Sequence, residues 1–345
     1  MRMRMPMPMP APTPAADAPV PTYDSPVAVI FVFVDGVGAG RADPSVNPLA
    51  RGDFLLSRFA DGSGAPLPRG GRAGLADATL GVPGRPQSAT GQATLLTGEN
   101  APRALGRHLL GFPNAPLRAL LEARSIFRTL AGAGRTAVFA NAYPVAYLHA
   151  LGLAADGVPE PALRPDGRRR ARPAATTVAY AAAAGRFLTW ADAARGEALT
   201  HDVTGERANR YGAAIPPRTP EAAAEILLRL AAGHDLALFE FFESDEAGHA
   251  RDMAHALEVL GRLDRLLRAA VAGLRAGDSL LVTSDHGNVE DLGTRSHTLA
   301  PVPVLGFGPA AADVEAVRDL TGVAPLLVRL AGAAEQGRGV AGVEP

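Results

Sequence analysis

Three stretches of this chain are too continuously apolar to be strands with one wet face: Val27 to Val34 (VAVIFVFV), Leu236 to Phe242 (LALFEFF) and Leu280-Leu281-Val282. A half-exposed strand alternates apolar and polar residues, whereas a strand covered on both faces of a parallel sheet need not. Each run ends in an acidic loop. The first stops at Asp35-Gly36-Val37-Gly38 and the second at Glu243-Ser244-Asp245-Glu246-Ala247-Gly248-His249. The third stops at Asp285-His286-Gly287-Asn288, with His297 and a further apolar run, Val302 to Phe307, following. Parallel sheets bind ligands beyond the carboxyl ends of their strands. Three carboxylates and three imidazoles are therefore expected at the edge where such sheets do chemistry. Taken singly, each loop is also good turn chemistry, because Asp, Asn and Gly favour turns.

Between the strands the pattern is helical. Pro116 to Ala131 reads as one amphipathic helix with Gly132 or Gly134 as its stop. Thr219-Pro220-Glu221 opens a helix that Gly233 ends, and Ala254 to Leu274 has apolar positions at helical spacing. A last helix is expected from about Asp313 to Leu330. Thr136 to Ala140 (TAVFA) is a further buried strand, Asn47 to Phe59 holds a short helix, and the Gly/Pro-rich Ala60 to Pro86 is irregular. Alternating strands and helices of this kind imply an α/β fold with a mostly parallel central sheet.

Composition narrows the chemistry. With 345 residues the chain can bury a large core, and a formal net charge of -1 argues against a nucleic-acid-binding or polybasic membrane protein. There is no Cys, so thiolate metal sites and disulfide frameworks are excluded. All 34 basic residues are Arg, so no mechanism can rest on a lysine. No stretch reaches the roughly 18–20 continuous apolar residues of a membrane span. The Pro/Ala-rich start lacks the apolar core of a signal peptide, so residues 1–24 read as a disordered tail and the location as cytoplasmic.

Ala142 to Asp202 has a different character. It is Pro-rich in places, carries the basic run Arg168-Arg169-Arg170-Arg172 and holds an Ala-rich helix candidate, Val178 to Gly185. It reads as an inserted cap over about 142–210. The core would then be discontinuous, 25–100 and 215–335, with 101–214 only partly core.

Three ionised carboxylates cannot crowd one edge without cations among them. Oxygen and imidazole donors suit Zn²⁺ or Mn²⁺, with Mg²⁺ a further possibility. Ser88 adds a hydroxyl. It stands at or next to the start of a helix running from Ala89 to about Gly98. Spare N–H groups and the helix dipole favour a phosphate there, although a serine in that place can also be a plain N-cap. Counting Ser88, there are donors enough for two ions, the arrangement that suits phosphoryl transfer.

These motifs, in this order, resemble those of the alkaline phosphatase superfamily, most closely its cofactor-independent phosphoglycerate mutase and phosphopentomutase branch. Thr283 to Glu290 (TSDHGNVE) is similar to that mutase's metal loop, and His297-Thr298-Leu299-Ala300-Pro301-Val302-Pro303 to its later His-Thr-x-x-Pro-Val-Pro. Asp245-Glu246-Ala247-Gly248-His249 resembles the family's Asp-x-x-Gly-His, and Asp35-Gly36-Val37-Gly38 its first strand end. Ser88, three residues before Gly91 and nine before Thr97, fits the nucleophile, and Ser88 to Gly98 also resembles the sulfatase and phosphodiesterase version of the segment. The resemblance covers about 24–100 and 215–310. It implies an alkaline-phosphatase-like three-layer sandwich with a small inserted cap. It further implies one metal on Asp245, His249 and His297, and a second on Asp35, Ser88, Asp285 and His286. Ser88 would take a phosphoryl group from a small phosphorylated substrate and pass it to water or a second hydroxyl.

Thr90 is the competing nucleophile. With Asn288 and the Arg residues Arg207 and Arg210, it is also a candidate to hold substrate. Two departures are plain: the mutase uses a catalytic Lys, absent here, and carries a larger insertion whose substrate motifs have no match. The other readings are a phosphodiesterase or sulfatase-like hydrolase of the same superfamily, and a metal-binding protein without turnover.

Overall fold

The continuous apolar runs become the middle of one sheet. The structure, a computed structural model, describes residues 27–153 and 171–333. The tail expected over 1–24 and Arg168 to Arg170 of the basic run lie outside those residues. The strands are β1 Val29–Val34, β2 Arg72–Ala76, β3 Ala137–Phe139, β4 Ala142–Tyr143, β5 Leu188–Thr189, β6 Leu236–Phe241, β7 Ser279–Ser284 and β8 Val302–Phe307. Six of them form the main sheet in the order β2-β8-β7-β1-β6-β3, while β4 and β5 pair separately. Strands β3, β6, β1 and β7 run parallel, and β8 is antiparallel to both β7 and β2.

Alternation now acts between two apolar layers rather than between core and water. Ile30, Val32, Ala237, Phe239 and Val282 face the helices Pro220–Ala232 and Met253–Ala272, where Leu227, Leu263 and Leu267 meet them. Val29, Phe31, Leu236, Leu238 and Leu281 face the other way, onto Leu96, Leu117, Leu121 and Leu327 of the helices Ser88–Thr97, Ala115–Arg124 and Val323–Leu330. The result is a three-layer α/β sandwich. Phe31 and Phe239 are fully buried, on opposite faces, and each contributes roughly 1.5–3 kcal/mol by leaving water.

Several helix and strand boundaries differ from the sequence reading. The helix expected over Pro116 to Ala131 is two, Ala115–Arg124 and Ile126–Gly132. Ser125 is extended between them, and its hydroxyl caps the second by accepting from Arg128 N at 3.4 Å. The helix expected from Asp313 is confined to Val323–Leu330. Before it lie short 3-10 turns, one of them opened by Asp319, whose carboxylate accepts from Thr321 N at 2.8 Å. The helix read at Val178 to Gly185 spans Ala175–Ala182. Strand β2 lies in the stretch read as irregular. Its sequence, RAGLA, has no β-branched or aromatic residue to mark it.

Candidate metal centre and nucleophile

Parallel register sets the first two carboxylates side by side. Val34 pairs with Phe241 on one side and with Ser284 on the other. The residues that follow, Asp35 and Asp285, therefore leave neighbouring strands at one level. Gly36 turns the chain there with φ +71°, and a Cβ on it would lie 2.6 Å from Asp245 Oδ1, so only glycine lets β1 end this close to the third carboxylate. Asp245 and His249 share a face of the helix Glu243–Ala250 because they are four residues apart.

Two donor clusters result. In the first, Asp245 lies 3.3 Å from His249 Nε2 and 3.5 Å from His297 Nε2, and the two imidazole Nε2 atoms are 3.2 Å apart. The second joins Asp35, Asp285 and His286, with His286 Nε2 at 3.3 Å from Asp35 Oδ1 and 3.5 Å from Asp285 Oδ2. In each cluster one ligand atom per residue lies within 4.8 Å of the others. The clusters adjoin, since the rings of His286 and His297 stack with centroids 3.8 Å apart.

Ser88 lies beside the second cluster. It is the first residue of its helix rather than the N-cap, which is Gln87 with no side-chain cap bond. Its hydroxyl points at His286, with Oγ 3.0 Å from Nε2. The helix is seated tightly: a Cβ on Gly91 would come within 2.7 Å of Asp285 O.

The electrostatics favour cations. Burial first, then Asp285 and Asp245, pushes the Asp35 carboxyl well above the usual range; burial and Asp245 do the same to Asp285. Burial, followed by His297, holds His286 well below the ordinary imidazole value, so it is neutral and able to ligate. Asp35 Oδ1 and Asp285 Oδ2 are buried with no hydrogen-bond partner among the described residues. Buried carboxylate oxygens of that kind are costly unless something positive meets them. Divalent ions fit both clusters by donor type and by these orphaned atoms.

A family model described as "Metalloenzyme superfamily" matches residues 213–333. The 2,3-bisphosphoglycerate-independent phosphoglycerate mutase of Halobacterium salinarum is 35% identical over 128 residues, 34% of this chain and 25% of that protein. The enzyme of the same description from Cereibacter sphaeroides is 36% identical over 120 residues, 32% of this chain and 24% of its own. This chain thus spans about a quarter of the length of the curated relatives it matches. Thermus thermophilus alkaline phosphatase shares the fold at a TM-score of 0.50 and 13% identity, over 91% of this chain and 93% of that one. A Pyrococcus horikoshii protein does so at 0.50 and 15%, over 90% and 98%. The match to the metalloenzyme superfamily model over 213–333 and the alkaline-phosphatase-like fold agree with the resemblance read from the motifs.

Around this centre lie supports that the sequence did not reveal. Gln92 Nε2 donates to Asp35 Oδ2 at 3.2 Å, and Ser244 Oγ donates to Asp35 O at 2.5 Å. Buried Glu290 accepts from Gly38 N and Asn288 N, both at 2.8 Å, and from Thr298 Oγ1. Glu290 stands in the metal-loop motif, and Gln92 is one helical turn beyond Ser88. Those spacings were the only signals available.

The other candidates have different surroundings. Asn288 is fully buried and donates to Asp245 Oδ1 at 2.6 Å, so it holds a carboxylate of the first cluster in place. Thr90 is buried, donates to Gln87 O at 3.1 Å and accepts from Leu109 N at 3.2 Å, leaving its hydroxyl engaged where that of Ser88 faces the clusters. Arg207 is held by Glu246 at 2.5 and 3.0 Å and by Glu243 at 3.4 Å, over the Phe242 ring. Arg210 lines a cleft with Arg207, Tyr211 and Glu258 that includes no residue of either cluster. A cleft of about 900 Å³ lies at the far end of the Ser88 helix, lined by Thr97, Asn100, Arg103 and Asp319, and includes no residue of either cluster.

Proposed function

We propose that the chain is a metal-dependent phosphoryl-transfer enzyme, a phosphomonoesterase or phosphomutase, acting on a small phosphorylated metabolite of the cytoplasm. The observation that carries this is Ser88 Oγ at the start of a helix, 3.0 Å from His286 and beside two adjoining clusters of metal donors. Asp245, His249 and His297 would hold one ion; Asp35, Asp285, His286 and Ser88 would hold the other. Mn²⁺ or Zn²⁺ there would supply Lewis acidity, neutralising phosphoryl oxygens and lowering the pKa of the attacking hydroxyl.

The chain's own groups do the rest. The first N–H groups of the Ser88 helix have no side-chain cap and orient a phosphate against the serine. Ser88 Oγ gives up its proton and attacks phosphorus; the Ser–O–P bond forms as the bond to the substrate alcohol breaks, and that alcohol leaves with a proton. Water then takes the phosphoryl group, or a second hydroxyl does, and Ser88 is restored. The described residues of 142–210 outside the helix Ala175–Ala182, which packs in a core layer, would form the cap over this edge.

Hydrolysis of an aryl phosphate by the Mn²⁺- or Zn²⁺-loaded protein tests the reading. Ser88→Ala is expected to lower kcat by about 10³-fold or more, since it removes the nucleophile of a covalent route. Full activity in that variant would remove Ser88 from the role.

A further inference from the structure

One buried carboxyl group near the centre has no part in holding metal. Glu240 is the fifth residue of β6 and only 4% exposed. It points with Leu236 and Leu238 into the layer covered by the helix Ala175–Ala182. Its Oε2 accepts from Thr176 Oγ1 at 2.6 Å, and no Arg or His forms an ion pair with it among the described residues. An acid buried without a cation costs free energy and calls for a reason.

Its neighbours are polar and aromatic. Tyr143 and Tyr147 stack at 5.3 Å, and the Tyr143 hydroxyl lies 3.4 Å from Thr177 Oγ1. His201 packs edge-on to Tyr143 at 5.2 Å and is bonded through Nδ1 to Asn141 Nδ2 at 2.8 Å. The same Asn141 clamps the Glu240 backbone, giving and accepting bonds of 2.8 Å.

This group of residues lies against the metal edge. Glu240 pairs across the sheet with the strand that ends in Asp35, opposite Phe33, and its charge is among those that raise the Asp35 carboxyl. It raises both tyrosines as well, after burial. On the outer side, the Tyr147 hydroxyl donates to Arg172 O at 3.0 Å, and the Arg172 guanidinium sits over half-exposed Phe112 at 6.0 Å. Phe112 follows Leu109, which is tied to Thr90 on the Ser88 helix at 3.2 Å.

We propose that Glu240, Tyr143 and Tyr147 form the subsite for the non-phosphate part of the substrate, and that this part carries a hydrogen-bond donor, a hydroxyl or an ammonium, next to the phosphate-bearing carbon. The proposal rests on the phosphoryl-transfer reading above. It adds a rule of exclusion: a substrate with a carboxylate there, as in phosphoglycolate, meets a buried acid and no lysine. A donor-bearing group instead satisfies the Glu240 carboxyl, and an ammonium would also face the two tyrosine rings. Glu240 is raised to about 7 by burial, partly offset by Thr176, so near neutral pH it can serve either donor.

The test compares glycerol 3-phosphate, aminoethyl phosphate and phosphoglycolate on the Mn²⁺-loaded protein. kcat/KM is read on the wild type, and calorimetric affinity on Ser88→Ala, which needs no turnover. We expect at least one of the first two to exceed phosphoglycolate by about tenfold or more in both readouts; which one it is tells hydroxyl from ammonium. In Glu240→Gln the preference is expected to shrink by about tenfold, because the amide keeps the shape and loses the charge. Equal or better handling of phosphoglycolate by the wild type overturns the proposal without any variant. So does an unchanged ratio in folded Glu240→Gln, or no binding of any of the three. Ordered affinities without turnover would instead count against the phosphoryl-transfer reading and leave the subsite in place.

Discussion

At the scale of single residues, the centre depends on groups that aim the donors as much as on the donors themselves. Asn288 shows this. Its Nδ2 holds both the carboxylate and the backbone carbonyl of Asp245, at 2.6 and 3.1 Å. Asn288→Ala is expected to weaken metal binding by about 10–100-fold at the cluster of Asp245, His249 and His297, with the other cluster little changed. Metal titration followed by calorimetry checks it, and one class of site weakening alone is the expected signature. The donors were legible in the sequence because metal chemistry restricts residue type: with no Cys, only Asp, Glu, His and hydroxyls remained. Their supports were not. Gln92 and Glu290 act through hydrogen bonds to residues far away in the chain, such as Asp35 and Gly38, and a spacing rule carries no such information. Arg207 was open to misreading for a related reason, since the sequence shows a basic side chain but not the Glu243 and Glu246 carboxylates that occupy it.

Among the elements, the Ser88 helix is the part with least freedom. Gly91 lets it lie on the Asp285 loop, where an added Cβ would sit 2.7 Å from a backbone oxygen that cannot easily move. Gly91→Ala therefore sets two effects against each other. Helix propensity favours Ala by roughly 0.5–1 kcal/mol, while overpacking costs about 1–3 kcal/mol. The clash is expected to win, lowering stability in denaturant melts by about 1–2 kcal/mol net and shifting Ser88 away from His286, so activity should fall further than stability. A stabilised, fully active variant would show that the helix has room to move. The strands were readable because burial on both faces leaves a continuous apolar run. Helix ends proved less so. Ser125 breaks one predicted helix through its own cap bond, a local choice that apolar spacing over Pro116 to Ala131 does not register.

In the molecule as a whole, the centre opposes its own fold until cations arrive. Raised carboxyl groups such as Asp35 and Asp285 contribute stability below their unfolded pKa of about 3.9, and that stability is lost as pH rises toward their folded values. Chelated protein should therefore lose stability from mildly acidic to neutral pH. Added Mn²⁺ should restore it, by about 2.7 kcal/mol per site at a free concentration one hundred times Kd. Thermal melts across pH, with and without chelator, read this directly; a melt indifferent to metal would contradict it. Sheet order was the whole-molecule fact the sequence withheld, because strands from both ends of the chain, β1 and β7, become neighbours only through long-range pairing. Among the described residues no helix is long and apolar enough to cross a membrane. The central claim, that Ser88 carries the phosphoryl group, is tested most directly by acid-quenching the Mn²⁺-loaded protein during turnover of a phosphomonoester and mapping the product by mass spectrometry. A phosphoryl adduct on Ser88, absent from Ser88→Ala, is the predicted result; phosphate release with the adduct elsewhere or nowhere, and undiminished in the variant, would contradict it.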